Sequence, residues 1–361
     1  MDKKSEGRPP FVKYIAYLQV IGIVLVVLGH SFHEYPGGNF GMDMLMYRMM
    51  HSFRMPLFVF VSGFLMVYTT ILRFDASPLP SFVWNKVKRL LLPFVVLSLV
   101  TFFPRTLMSG VADDAMTADV ATFADALLYN GKLVIPYYWF LQASFLLLVF
   151  NYAMIRLGRK SGLDDRWVYL LLLVFFLVLP LCSFERQAFF SIEKAIDLGG
   201  YFVAGSVFAR YSDSIDRMVP WRSPCFLLLC ILVWAGLFFL LENTCWFAVC
   251  SMVGICMCVS MAKILEHRNY GFLDHLIGAN YLIFLLSWYC NVASQQVLSH
   301  FVSLPWWVYS VLSLVSGIYV PWLGYRYLKT HSHSRWVRVA AFLLGQNIQS
   351  GSRKTNNAAC K

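Results

Sequence analysis

The sequence predicts an all-α, polytopic transmembrane bundle of about ten helices with both termini cytoplasmic. Two observations carry this. Ten apolar stretches run along the chain, most of them near the roughly 20 residues an α-helix needs to cross about 30 Å of hydrocarbon. Of the 30 Lys and Arg residues, all but six (Arg48, Arg54, Arg105, Lys132, Arg186 and Lys194) fall in alternate connections between those stretches. Short cytoplasmic loops hold Lys and Arg because translocating a cation is costly and the inner leaflet is anionic.

In chain order the expected spans begin with Tyr14–His30, which follows the basic segment Lys3 to Lys13 and is long enough to be retained rather than cleaved as a leader. Met55–Leu72 and Leu90–Phe103 come next, both with polar flanks, separated by the cytoplasmic cluster Lys86, Lys88 and Arg89. The interval Pro104–Pro136 carries Asp113, Asp114, Asp119 and Asp125 and reads as an outer loop with one short amphipathic helix. Tyr137–Ile155 and Trp167–Phe184 flank the basic turn Arg156 to Arg166. Ala195–Ala209 is the weakest apolar signal, and Phe226–Leu241, Trp246–Ile264, Ile277–Val297 and Trp306–Leu328 complete the ten. One membrane domain is expected over residues 1–344, with a polar, Asn- and Ser-rich cytoplasmic tail over 345–361.

Composition agrees and narrows the function. Hydrophobic residues make up 59% of the chain and charged ones 14%, against about a quarter charged in soluble domains. The net charge of +11 sits in membrane-flanking loops, so it argues for an anionic lipid surface and not for nucleic acid. The nine cysteines lack C-x-x-C or Cys/His spacing, so no metal is expected. Most lie in or beside apolar spans as small hydrophobes, with a Cys182–Cys245 bridge at the outer face as the alternative. No phosphate-cradling glycine loop and no internal repeat is present.

Chemistry must then come from polar groups at the membrane, where an ionisable side chain is costly and by default functional. His30 ends the first span, and His33 and Glu34 follow three and four residues later. On a continued helix the three share a face, and Glu34 would orient the His30 imidazole as a general base. From spacing alone this stands beside a second reading, two interfacial histidines and a solvated glutamate.

Four motifs, in order, go further. They are VIGIVLVVLGHS ending at His30 and Ser31, Met55-Pro56-Leu57-Phe58 with Ser62-Gly63-Phe64, NKVKRLLLP, and Trp139-Phe140-Leu141. From Tyr14 to Phe94 the chain resembles the acyltransferase 3 family of integral-membrane acyltransferases, with Trp139-Phe140-Leu141 as a further landmark. The resemblance implies transfer of an acyl group, usually acetyl, from a cytoplasmic coenzyme A thioester to a hydroxyl of a carbohydrate or glycolipid. That acceptor would lie at the outer face of a bacterial cytoplasmic membrane. His30 would be the catalytic base. Lys86 and Arg89 would bind the donor's phosphates, Trp139 would line the path of its arm, and His33 and Arg54 would meet the acceptor. Ordinary anchoring in the inner leaflet predicts the same basic residues at 86 and 89.

Geometry links the two sites. Sixteen residues separate Tyr14 from His30, roughly 24 Å of helix. A donor held by its phosphates inside would therefore thread its arm between the helices to reach His30. The family's usual Arg, eleven residues before the His, is replaced here by Gln19, with Lys13 the nearest cation lower on the helix. The late His of many members is replaced by Ser287 and Trp288. A polytopic transporter or flippase for a lipid-linked or anionic sugar, using Arg54, Glu193 and Asp197, is the alternative, as is a degenerate member without catalysis.

Overall fold

A computed structural model describes residues 12–32, 42–71, 78–107, 117–181, 189–241 and 247–346. Among the described residues the chain is helical and forms no strand. Helix α1 (Lys13–Ser31) precedes α2 (Met42–His51) and α3 (Arg54–Met66), which ends in a wide π-type turn over Val67–Ile71. Helix α4 (Leu79–Lys86) passes through a second π-turn, Val87–Leu91, into α5 (Leu92–Leu107). Then come α6 (Val120–Leu128), α7 (Trp139–Lys160), α8 (Asp165–Val178), α9 (Ile192–Arg210) and the short α10 (Ser212–Met218). Helices α11 (Pro224–Leu241), α12 (Phe247–His267) and α13 (Asn280–Val292) follow, and a third π-turn, Ala293–Val297, joins α13 to α14 (Leu298–Phe301). The last described helices are α15 (Trp306–Thr330) and α16 (Arg335–Leu343).

Ten helical segments among the described residues run alternately between two ends of the bundle, one for each expected span. Cross-contacts fix the ends. At one end Lys13 pairs with Asp274 at 3.2 Å, Arg159 with Asp165 at 2.7 Å, and Lys263 with Asp216. At the other, Gln295 donates to the backbone of His30 and Ser31, Arg105 to Val134, and Asn130 to Glu193. The start of α1 and the end of α16 lie at the same, basic end, since the Gly345 backbone packs against the Arg89 carbonyl. Seven of the segments are long and apolar enough to cross a membrane on that ground alone. Helix α8 is only 14 residues long, and α9 carries Glu193, Lys194, Asp197 and Arg210, so both rely on their neighbours. The protein is a multi-pass membrane bundle.

One boundary differs from expectation for a physical reason. The segment expected to start at Leu90 is helical from Leu79, because the basic stretch continues through a π-turn that hydropathy does not register. The expected outer-loop helix is α6, capped by Asp119, whose carboxylate accepts from the Thr122 N–H at 2.8 Å. The Thr117 and Thr122 hydroxyls and the Thr122 N–H hold that carboxyl down to about 2, so the cap is charged at neutral pH. Cys182 and Cys245 lie outside the described residues, as do His33 and Glu34.

Helix α1 is central, enclosed by α3, α12, α13 and α15. Helices in lipid associate through close packing and small residues, since lipid tails are as apolar as Leu. The α3–α9 contact shows this. A Cβ added to Gly63 would stand 2.0 Å from the Phe202 carbonyl oxygen, and one added to Gly205 1.9 Å from that of Phe60. Backbone cannot yield as a side chain can, so Gly63→Val is expected to cost at least about 1–3 kcal/mol. Thermal melting in detergent checks this, with Gly200→Val, where the added carbon meets nothing within 4 Å, as the matched control that should melt like wild type.

Candidate active site

A cavity of about 380 Å³ opens between α1, α3, the α4–α5 segment, α7 and α13. Its composition changes along its depth. At the basic end stand Lys86, Arg89, Thr69 and Tyr281, in the middle Gln19, Ser62, Ser144 and Asn280, and at the far end Phe58, Phe140 and Phe284. The three phenylalanines meet edge to face, Phe58 to Phe140 at 5.8 Å and Phe140 to Phe284 at 5.4 Å between ring centroids. They close the cavity toward the opposite end of the bundle.

Local structure explains how the polar groups reach it. Lys86 and Arg89 flank the start of the π-turn Val87–Leu91, and Thr69 sits within the π-turn Val67–Ile71. Such widened turns recur at functional sites. The Tyr281 hydroxyl donates to the Arg89 carbonyl, and the Arg89 guanidinium lies 5.9 Å from the Tyr281 ring. The Lys86 ammonium stands over Phe82 at 4.9 Å, and Phe82 is stacked on Tyr152 at 3.9 Å. In the Met55–Phe64 motif, Phe58 and Ser62 face the cavity while Gly63 packs on α9.

His30 lies beyond the phenylalanines, at the far end of α1. Its ring is stacked on Tyr137 with centroids 3.7 Å apart. Tyr137 is one helical turn before Phe140, so His30 and the closed end of the cavity are near neighbours. Gln295, in the third π-turn, donates its side-chain amide to the Ser31 carbonyl at 2.9 Å and the His30 carbonyl at 3.3 Å. Arg54 is buried, 2% exposed, and reaches against α1 beside His30, because a Cβ on Gly29 would stand 1.8 Å from its guanidinium. His51 Nδ1 lies 3.3 Å from Arg54, and the Tyr47 ring lies beneath its charge at 5.1 Å.

The structure thus brings His30 together with Arg54, and Lys86 together with Arg89, with a cavity rising from the second pair toward the first. Trp139 is not among the lining residues; it stands edge-on to Phe140, which is. Gln19 lines the cavity, whereas Lys13 is paired with Asp274 and Asn269 outside it. Tyr137, Gln295, Ser144 and Asn280 escape a reading by motif. The one available signal is Gln295-Gln296 within an apolar span, where two amides are costly unless partnered.

A family model described as an acyltransferase domain matches residues 12–326. No curated protein and no solved structure matches the chain.

Proposed function

The chain belongs to the acyltransferase 3 family, and on that premise we propose that it moves an acyl group, acetyl in the first instance, from acyl-CoA at the basic end to a hydroxyl at the His30 end. The acceptor is a carbohydrate or glycolipid, and the basic end faces the cytoplasm of a bacterium, as the distribution of Lys and Arg favours. The observation that carries this reading is the cavity itself. Two cations stand at its mouth, α1 contributes Gln19 to its wall, and it ends within about one helical turn of the residue stacked on His30.

In the proposed reaction His30 takes the proton from the acceptor hydroxyl as its oxygen attacks the thioester carbonyl carbon. The carbon–sulfur bond then breaks, and the sulfur leaves as the coenzyme A thiol, receiving the proton from His30. Tyr137 and Gln295 hold the imidazole-bearing end of α1 in place, and Glu34 is the proposed orienting carboxylate. Arg54, brought against Gly29, supplies positive charge near the oxyanion of the tetrahedral intermediate and meets the acceptor with His33. The transporter alternative draws less support, since Glu193 accepts from Asn130 in the outer loop at 2.9 Å, as a structural tie would. Thiol release from acetyl-CoA by the detergent-purified protein, across a panel of glycans and glycolipids, tests the reading. Acceptor-dependent release is expected, and its absence across acyl donors and acceptors would count against it.

A further inference from the structure

The middle of the cavity carries two polar atoms that no described residue satisfies. Among the described residues, the Ser144 hydroxyl and the Asn280 side-chain oxygen are buried without a hydrogen-bond partner. Both side chains line the cavity, and the residues are only 5% and 9% exposed. Buried polar groups are almost always paired, and an orphaned one calls for a ligand or water. They lie on different helices, α7 and α13, between the cationic mouth and the phenylalanine end.

We infer that Ser144 and Asn280 bind the amide groups of the donor's pantetheine arm, an inference that rests on the acyl-CoA reading above. The three zones of the cavity match the three parts of such a donor. Lys86 and Arg89 meet the phosphates, and the phenylalanines meet the small acyl end. Between those parts coenzyme A has an apolar chain interrupted by two secondary amides, each with one N–H donor and one carbonyl acceptor. The Asn280 oxygen accepts from an arm N–H, and the Ser144 hydroxyl donates to an arm carbonyl. Gln19 offers both functions on the α1 wall.

The test compares coenzyme A with adenosine 3′,5′-bisphosphate, which keeps the 3′-phosphate and one of the two 5′-phosphates and lacks the arm. Both are titrated into detergent-purified wild type, Ser144→Ala and Asn280→Ala, each variant first shown to melt like wild type. Losing one neutral hydrogen bond should weaken coenzyme A binding about three- to tenfold, with adenosine 3′,5′-bisphosphate binding unchanged. Arg89→Ala, by contrast, should weaken both. Equal loss of the two probes, or no loss of either in both variants, overturns the arm assignment while leaving the donor reading intact. Wild type that binds neither probe overturns both. Should Asn280→Ala melt early, Ser144→Ala alone decides, because removing its hydroxyl breaks no hydrogen bond among the described residues.

Discussion

His30→Ala is expected to remove nearly all acyl transfer while the protein still folds and binds coenzyme A. Positioned proton transfer contributes typically about 10²–10⁴-fold, roughly 3–5 kcal/mol of barrier, and turnover should fall by that factor. The fold tolerates the change because α1 is held elsewhere: Gln295 bonds its backbone carbonyls, not the imidazole, and the rest of α1 is packed among four helices. The substitution leaves Tyr137 without its stacking partner, a contact worth about 0.5–1.5 kcal/mol, which a melting curve would register separately. His30→Gln, which keeps a planar group over Tyr137 but provides no base, should restore stability without restoring turnover. A well-folded His30→Ala protein that transfers acyl groups at the wild-type rate would remove His30 from the chemistry.

Replacing Lys86 and Arg89 together by Ala is expected to weaken coenzyme A binding by about ten- to a hundredfold. A charge-assisted hydrogen bond to phosphate is worth roughly 1.5–3 kcal/mol, and the two cations share one ligand, so their losses do not simply add. Lys86 is the more sheltered of the two, tucked over the Phe82 ring, so it should account for the larger part. Arg89 is exposed at the mouth, where solvent screens its charge. High salt should reproduce part of the loss in wild type. If the cluster serves only to anchor the chain in the inner leaflet, the variants should express poorly or insert wrongly, while whatever protein folds keeps normal affinity. Titration of coenzyme A into folded wild-type and variant protein separates the two roles.

The membrane architecture was legible because hydropathy and the placement of cations follow from the solvent, not from tertiary detail. Each of the ten expected spans corresponds to a helical segment, including Ala195–Ala209, whose helix α9 carries Glu193, Lys194, Asp197 and Arg210 and makes a poor span by itself. The start of the α4–α5 segment was not legible, since a basic, half-polar stretch reads as loop until a π-turn carries it onward. At the site, the residues that motifs single out fall into two groups, at the cavity mouth and beside His30. What joins the groups was hidden. Gln295 meets Ser31 across 264 residues of sequence, and Ser144 and Asn280 matter only because the bundle leaves them facing a common space. No local spacing encodes such contacts. The tight α3–α9 crossing was half legible: Ser62-Gly63 belongs to a motif, but its partner Gly205 is an unremarkable glycine until Phe60 is seen above it.

In the proposed reaction the donor enters at the Lys86–Arg89 end and the acceptor waits at the His30 end. Vesicles carrying the protein in one orientation test this most directly, with acetyl-CoA bearing a labelled acetyl group sealed on the basic side and the acceptor supplied only on the other. Label is expected on the acceptor at the far side, with free coenzyme A left where the donor was and no labelled acetyl-CoA crossing over. Transfer that occurs only when donor and acceptor share one face would contradict it.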